Sequence, residues 1–406
     1  MDRAARFTRA RIAAAFLVGL TIPLSVSVSE IITVVALAVV LLERPPRAAW
    51  VAIARNPVVW ASVALFVLLT LALAYTAAPM NEALRIWQKY RELAYLPLLL
   101  LLCRDRFAAR AGLAGFLLAV LAIIVANVAL RVLGAFSLAP LHRYSFFGSY
   151  IVEGVLIALA SYHLAIEAIT NPRRRYYAAA AALVALLIGL YVQVGRTGYV
   201  VTIALGLLLL FQMAPRRWMV PGIVLIAVMA GSVFVIAPDL AGRMSGVVSA
   251  VDTPQGQAPN SGGNAATSSA GARLRFYQHA LAVFARHPVF GTGTGSFNTV
   301  YNDQAAIDNQ AMTTNPHDEF LMIGIQTGAV GVLLLLAFFA ALWFCAPRLS
   351  PIDAWRGRAA TLALAISCLF NSSLLDHVDG HSYIFQIALF YFAAGLREDQ
   401  RPRHDV

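Results

Sequence analysis

Long apolar blocks of about 17 to 25 residues recur along this chain, and each is followed by a short segment that contains arginine, glycine or proline. A helix needs about 20 apolar residues to cross the hydrocarbon core of a bilayer. The composition agrees, because 60% of the 406 residues are hydrophobic and 13% are charged. This balance excludes a soluble enzyme of this length, and the lack of short alternating strands excludes a membrane barrel. The sequence predicts an all-α polytopic integral membrane protein.

The apolar runs predict about twelve membrane-spanning helices. They cover residues 7–25, 27–43, 57–77, 92–103, 111–135, 148–170, 177–195, 198–213, 218–237, 319–345, 359–375 and 381–396. With a cytoplasmic N-terminus, the seven inner segments carry 21 of the 31 lysines and arginines, as the positive-inside rule requires. Both termini are therefore predicted to be cytoplasmic. The net charge of +11 is scattered over short segments, so no nucleic-acid partner is expected.

One predicted outer connection is much longer than most of the others. Residues 238–318 form a large loop between spans 9 and 10, which separates residues 1–237 from residues 319–406 with the last three spans and a cytoplasmic tail. The stretch Asp252–Gly271 is rich in small and polar residues and is predicted to be flexible. Apolar residues at helical spacing over Arg273–Arg286 predict an amphipathic helix lying across the mouth of the bundle.

A tight glycine turn is predicted after this surface helix, at Gly291, Gly293 and Gly295. The turn is not a nucleotide-binding loop, since the Lys-Ser/Thr pair that completes such a loop is absent. A structural hinge is the favoured interpretation.

Several arginines lie on the predicted outer side despite the inward bias of positive charge, and three of them are candidates for a site. Arg196 follows a glycine break between two spans, and Arg273 and Arg275 open the surface helix. The planar guanidinium binds phosphate oxygens with two parallel hydrogen bonds, so together these residues can form an anion clamp. The alternative is that they snorkel or pair with outer carboxylates.

His317 stands immediately before the tenth span, at the start of a helix. A neutral imidazole there can take a proton from a hydroxyl near neutral pH. The neighbours Pro316, Asp318 and Glu319 suit the first turn of a helix. A well-capped helix start with an exposed histidine is the alternative interpretation.

Two further outer clusters carry polar groups. His142 and Arg143 lie beside aromatic residues, which fits a lipid-phosphate headgroup or an interfacial aromatic belt. His377 and His381 are four residues apart, with Asp376 before them and Asp379 between them, and they could bind a metal if helical. Because this stretch is predicted to straddle a turn at Gly380, a polar pocket or a solvated surface is favoured and no metal site is predicted.

Several motifs occur in a characteristic order between residues 195 and 331. They are Val-Gly-Arg-Thr-Gly around Arg196, Ala-Arg-Leu-Arg-Phe-Tyr at the surface helix, Arg-His-Pro-Val-Phe-Gly-Thr-Gly-Thr-Gly-Ser-Phe, Pro-His-Asp-Glu-Phe-Leu around His317, and Gly-Ala-Val-Gly downstream. With the twelve-span layout, this order resembles the O-antigen ligase and polymerase superfamily of bacterial envelopes.

The resemblance implies a metal-independent, cofactor-free inverting glycosyltransferase of the inner membrane that works among membrane lipids at the periplasmic face. Its donor would be an undecaprenyl-pyrophosphate-linked glycan and its acceptor a hydroxyl, on lipid A-core for a ligase. Carried over, the catalytic residues are Arg196, Arg273 and His317. The substrate-binding candidates are Arg275, Tyr277, Arg143 and His142. One departure is Asp318, where many relatives have asparagine.

Other activities remain open at this point. Within the superfamily, a polymerase transfers to another lipid-linked chain and a protein O-oligosaccharyltransferase to a protein side chain. The twelve-span layout and the His-Asp-Glu-Phe motif favour a ligase. A transporter of lipid-linked glycans is the alternative from another class, for which internal repeats and interrupted helices are expected. No clear duplication relates the two halves of the sequence.

Overall fold

The computed structural model describes residues 3–135, 149–193, 195–236, 269–308 and 311–397. All regular elements in these ranges are helices, and no strand occurs within them. Within the described ranges, seven helices are long and apolar enough to cross a membrane, and Arg175–Tyr191 is a shorter apolar helix. The predicted all-α polytopic class is confirmed, while the number of twelve spans stays a prediction.

The first half of the chain forms α1 to α8. They are α1 (Arg3–Thr21), α2 (Val26–Glu43), α3 (Arg47–Arg55), α4 (Pro57–Leu71), α5 (Met80–Lys89), α6 (Glu92–Leu102), α7 (Arg106–Ala135) and α8 (Tyr150–Thr170). The second half forms α9 (Arg175–Tyr191), α10 (Arg196–Met213), α11 (Met219–Ile236), α12 (Ser269–Phe284), α13 (Phe297–Ile307), α14 (Glu319–Cys345), α15 (Pro351–Phe370) and α16 (His377–Phe390).

A helix occupies each of the twelve predicted spans, but two of these helices are short and enclosed by protein. Helix α6 has 11 residues and α16 has 14. A straight crossing of the hydrocarbon core needs about 20 residues. Most of α6 and nearly all of α16 are buried against other helices. These two segments are apolar because they form the protein core, which a hydropathy pattern does not distinguish from contact with lipid.

The loops contain helices that the apolar pattern only partly indicated. Helix α12 lies in the segment that was predicted to form a surface helix, and its first residues, 269–271, were predicted to belong to the flexible segment. Residues 252–268 of that segment lie outside the described ranges. Helices α3 and α13 were not predicted, since both are short and lie in connections.

Hydrogen bonds between α8, α10 and α15 establish which helix ends lie together. The Tyr162 hydroxyl of α8 donates to Gln212 near the end of α10, and lies 3.2 Å from the carbonyl oxygen of Trp355 near the start of α15. Helices α10 and α15 are therefore antiparallel. The start of α10, at Arg196, and the end of α15 lie at the opposite end of the bundle, which we call the His317 end.

The predicted glycine turn packs into a break in α14. Gly328 has φ 67° and ψ −164°, which interrupts the helix nine residues after its start. The segment Pro288–Gly293 fills this break. Thr292 and Gly293 donate their N–H groups to the carbonyls freed at Ile325 and Gln326, at 2.9 and 2.8 Å. Beyond the break, the N–H of Ala329 donates to Pro288 and that of Val330 to Val289, at 2.7 and 3.3 Å.

The three glycines of the turn each have a positive φ. At Gly293 the φ is 96°, and a Cβ atom would lie 2.2 Å from Cα of Thr76. Glycine is required here both by the left-handed backbone and by the close approach. The turn thus packs between α14 and the segment that joins α4 to α5. The interpretation of the turn as a hinge is wrong, because these contacts hold it in place.

Candidate active site

His317 lies in the turn between α13 and α14, and its backbone is held on both sides. Its φ is +59°, a left-handed conformation that costs a residue with a side chain roughly 1–3 kcal/mol. Its N–H donates to Oδ1 of Asn315 at 2.7 Å, and its carbonyl accepts from the Tyr277 hydroxyl at 2.8 Å. These contacts hold the imidazole at the start of α14, where the sequence placed it.

The environment of the His317 imidazole favours the neutral ring. Burial lowers the pKa of His317, and the nearby Arg273 guanidinium lowers it further, while a polar contact with Asn371 acts in the opposite direction. Nδ1 is buried and has no hydrogen-bond partner among the described residues. A neutral imidazole carries one lone pair on nitrogen, so this ring can accept a proton at neutral pH.

Arg273 is the predicted site residue that the structure brings to His317. It is half-buried on α12, which packs against α14. A guanidinium stays charged at all relevant pH values, so the site combines a fixed positive charge with a neutral base. This pairing suits a reaction in which a hydroxyl loses a proton while negative charge develops nearby.

Tyr277 stands one helical turn after Arg273 on α12. Its hydroxyl lies 2.8 Å from the His317 carbonyl and 3.3 Å from that of Leu369. Burial first, then the nearby Asp318 carboxylate, raises the pKa of Tyr277 to about 12. The sequence predicted a substrate-binding tyrosine, and the structure places its hydroxyl on the backbone of the histidine turn.

The two acids after His317 have different environments. Asp318 caps α14, its carboxylate accepting from the N–H of Leu321 at 2.8 Å, and burial raises its pKa to about 6. Glu319 is fully buried, and accepts from the Tyr90 hydroxyl at 3.0 Å and from the Leu374 N–H at 2.8 Å. Asp318 confirms the predicted helix start, whereas Glu319 joins three segments of the chain.

Residues after α15 support the histidine turn, and no local pattern in the sequence indicated them. Ser372 donates to Oδ1 of Asn315 at 2.8 Å, the same atom that accepts from the His317 N–H. Asn371 contacts the imidazole itself. Both lie more than 50 positions from His317 along the chain, so only tertiary contact reveals their role.

Arg196 begins α10 at the His317 end of the bundle. Gly195 and Gly198 let this end approach α8 closely, since a Cβ on Gly198 would lie 3.0 Å from Gly154. Arg196 and His317 are thus placed at one end, as predicted. Arg275 is exposed on α12. His142 and Arg143 lie outside the described residues.

A cavity of about 230 Å³ adjoins the histidine turn. Its polar lining includes Glu82, Arg85 and Lys89 of α5, Asn298 of α13, and Asn315. Because Asn315 also holds the His317 N–H, the cavity lies directly beside the histidine turn. Helix α5 thus contributes two basic side chains and one acidic side chain to this cavity.

The comparison with protein families agrees with the order of motifs. Residues 181–336 match the sequence model of the family described as O-antigen ligase. This match supports the resemblance of the chain to the O-antigen ligase superfamily. The matched region includes Arg196, Arg273 and His317, together with the break in α14, and covers somewhat over a third of the chain. No curated protein matches the chain.

Several elements near the candidate site lie outside the region that matches the family. Helix α5, the Asn371–Ser372 turn and α16 lie before or after residues 181–336. The matched segment therefore depends on Asn371 and Ser372, which lie after it in the chain, to position His317.

Proposed function

We propose that this protein is an O-antigen ligase. It would transfer a glycan from undecaprenyl pyrophosphate to a sugar hydroxyl of lipid A-core at the periplasmic face of the bacterial inner membrane, with both termini in the cytoplasm. The observation that carries the proposal is the neutral His317 imidazole beside the Arg273 guanidinium. A base next to a fixed positive charge supplies both needs of glycosyl transfer to a hydroxyl.

In the proposed reaction, the acceptor hydroxyl attacks the anomeric carbon of the donor sugar. The carbon–oxygen bond to the diphosphate breaks as the new glycosidic bond forms. His317 accepts the hydroxyl proton, and undecaprenyl pyrophosphate leaves with the electron pair of the broken bond. Attack from the face opposite to the leaving group inverts the anomeric centre.

Arg273 and Arg196 would bind the diphosphate and stabilise the charge that develops on it. Both lie at the His317 end, and the guanidinium groups need no metal ion to bind phosphate oxygens. No step of this scheme requires a cofactor. Arg275 is exposed on the same helix as Arg273 and would contact the donor farther from the reacting carbon.

The break in α14 bears on the transporter alternative. Interrupted helices in transporters leave backbone groups that bind ions or substrate. In this chain the groups at Ile325, Gln326, Ala329 and Val330 bond to the Pro288–Gly293 segment. They are used within the protein, which favours a structural role for the break.

A reconstituted transfer reaction tests the proposal. Purified protein, a lipid-linked glycan and lipid A-core should give a new glycosidic bond with wild type. His317→Ala should lower the rate by about 10²- to 10⁴-fold, the contribution typical of a general base. The matched control is His287→Ala, since His287 is exposed in the turn after α12. Equal rates for wild type and His317→Ala would refute the role of His317.

The acceptor can be identified in cells that lack the gene and are complemented with either wild type or His317→Ala. A ligase predicts lipid A-core without O-antigen and polymer accumulating on the lipid carrier when His317 is replaced. A core capped by a single repeat would instead identify a polymerase. An unchanged lipopolysaccharide ladder would direct attention to protein glycosylation or transport.

A further inference from the structure

A second cluster of chemically competent side chains lies at the contact of α2 and α16. It consists of Glu30, His377 and His381, whose donor atoms all lie within 4.8 Å of one another. Oε1 of Glu30 is 2.9 Å from Nδ1 of His377 and 3.8 Å from Nε2 of His381. The predicted turn at Gly380 is wrong, because α16 runs through it and places the two histidines one helical turn apart.

The hydrogen bond of His381 determines which of its nitrogens has a lone pair. Nδ1 lies 3.0 Å from the carbonyl oxygen of His377. A carbonyl only accepts, so Nδ1 carries the proton and Nε2 carries the lone pair. His381 is 3% exposed, and Nε2 has no hydrogen-bond partner among the described residues. An unpartnered lone pair is thus buried and directed toward Glu30.

His377 has an orienting partner on the side away from Glu30. Its Nε2 lies 3.0 Å from Oγ of Ser29, and this hydroxyl donates to the Val26 carbonyl at 2.8 Å. With the proton on Nε2, the chain of hydrogen bonds from the ring through Ser29 to Val26 is complete. A metal ion bound through Nδ1 would then take the place of the proton that Nδ1 shares with Glu30 at 2.9 Å. Metal-binding histidines are typically oriented by such a bond from the other ring nitrogen.

The surroundings of the cluster include an adjoining cavity and a competing cation on Glu30. A cavity of about 230 Å³ is lined by His377, Asp376 and Glu153 and borders the cluster. Arg91 also pairs with Glu30, so a cation has to share this carboxylate. Glu92, fully buried, has an oxygen 4.0 Å from Nδ1 of His381 and is not counted among the ligands.

We infer that Glu30, His377 and His381 bind a divalent transition-metal ion of the zinc class, which joins α2 to α16. Two imidazoles and one carboxylate are ligands that such ions prefer, whereas calcium and magnesium prefer oxygen ligands alone. Three protein ligands leave a fourth position for water from the adjoining cavity. None of the three belongs to the proposed catalytic set, so the ion is a structural tie and takes no part in glycosyl transfer.

Metal content measures this directly. Purified protein is stripped with a chelator, dialysed against micromolar Zn²⁺ and analysed by mass spectrometry for zinc per chain. We expect about one zinc in wild type and in the control His287→Ala, and loss of that zinc in His381→Ala and Glu30→Gln. Wild type without zinc, or His381→Ala with undiminished zinc, would overturn the assignment.

Two milder variants test the site even if the variants that lack a ligand fail to fold. Ser29→Ala removes one hydroxyl and should weaken zinc binding by about 10- to 100-fold, as removal of an orienting partner does. Arg91→Gln removes the competing cation and should strengthen binding. Both are read from Zn²⁺ titrations of the thermal unfolding temperature. Zinc affinities equal to wild type in both variants would also contradict the site.

Discussion

Arginines at the two ends of the bundle have different partners. At the end opposite His317, Arg11 is 3% exposed and pairs with Glu43 and Asp105, and Arg104 pairs with Glu43. At the His317 end, Arg273 faces a neutral imidazole. An arginine paired with carboxylates has its charge compensated within the fold. An arginine beside a neutral base keeps a positive field for an incoming anion.

Among the variants that compare the two ends of the bundle, Arg273→Ala should have the largest effect on activity. We expect Arg273→Ala to lower the transfer rate by about 10²- to 10³-fold, the loss typical when one group that stabilises developing charge is removed. The thermal unfolding temperature should stay within a few degrees of wild type. Arg273→Lys should recover only part of the rate, because an ammonium lacks the planar fork. A fully active Arg273→Ala would place the anion site elsewhere.

Removal of Arg11 should show the opposite pattern. Arg11→Ala leaves the Asp105 carboxylate without its cation and leaves Glu43 with Arg104 alone. Because the Asp105 side chain is 34% exposed, the loss of stability should stay below the roughly 3–5 kcal/mol of a fully buried pair. The unfolding temperature should fall, while turnover per folded molecule stays at the wild-type level. Denaturation curves and active-fraction measurements on the same sample check both parts. A turnover defect as large as that of Arg273→Ala would end the distinction between the two ends.

Tyr277→Phe should have a smaller effect that separates two roles for this residue. Loss of the bond to the His317 carbonyl should cost about 0.5–1.5 kcal/mol, or roughly 2- to 10-fold in kcat. A positioning role predicts little change in KM for the acceptor. A rise in KM at constant kcat would instead support the substrate-binding role that the sequence suggested.

Asp318→Asn tests the smallest expected effect, which depends on pH. Burial raises the pKa of Asp318 from 3.8 to about 6, so the folded state binds the proton more tightly than the unfolded state. Its contribution to stability is therefore present at low pH and is lost as pH rises from about 4 to about 6. Asparagine keeps the helix cap without titrating. The unfolding temperature of the variant relative to wild type should increase across this window and then level off.

The same groups set the expected pH dependence of transfer. Because the pKa of His317 is lowered, the imidazole stays neutral well into mildly acidic conditions. The rate should fall on the acid side only below the ordinary histidine range, as the ring becomes protonated. The pH–rate profiles of wild type and Arg273→Ala should differ in their acid limbs. The limb of the variant should lie at higher pH, because removal of a neighbouring positive charge raises the pKa of His317.

The fold class and the candidate site residues could be predicted because they depend on local patterns in the sequence. Apolar blocks report burial in lipid or protein, so all twelve predicted spans contain a helix. The glycine motif predicted a tight turn because positive φ is a local property of Gly291, Gly293 and Gly295. Motif order pointed to Arg196, Arg273 and His317, and the family match includes these residues.

Tertiary structure decided what no local pattern encodes. The contact of Asn371 and Ser372 with the histidine turn joins residues more than 50 positions apart. The break at Gly328 has a physical meaning only once the Pro288–Gly293 segment is seen to fill it. The cluster of Glu30 with the two histidines joins α2 to α16 across almost the whole described chain. Sequence patterns record whether a residue prefers lipid, protein or water, whereas partners, protonation and ligand geometry follow from the packing of distant helices.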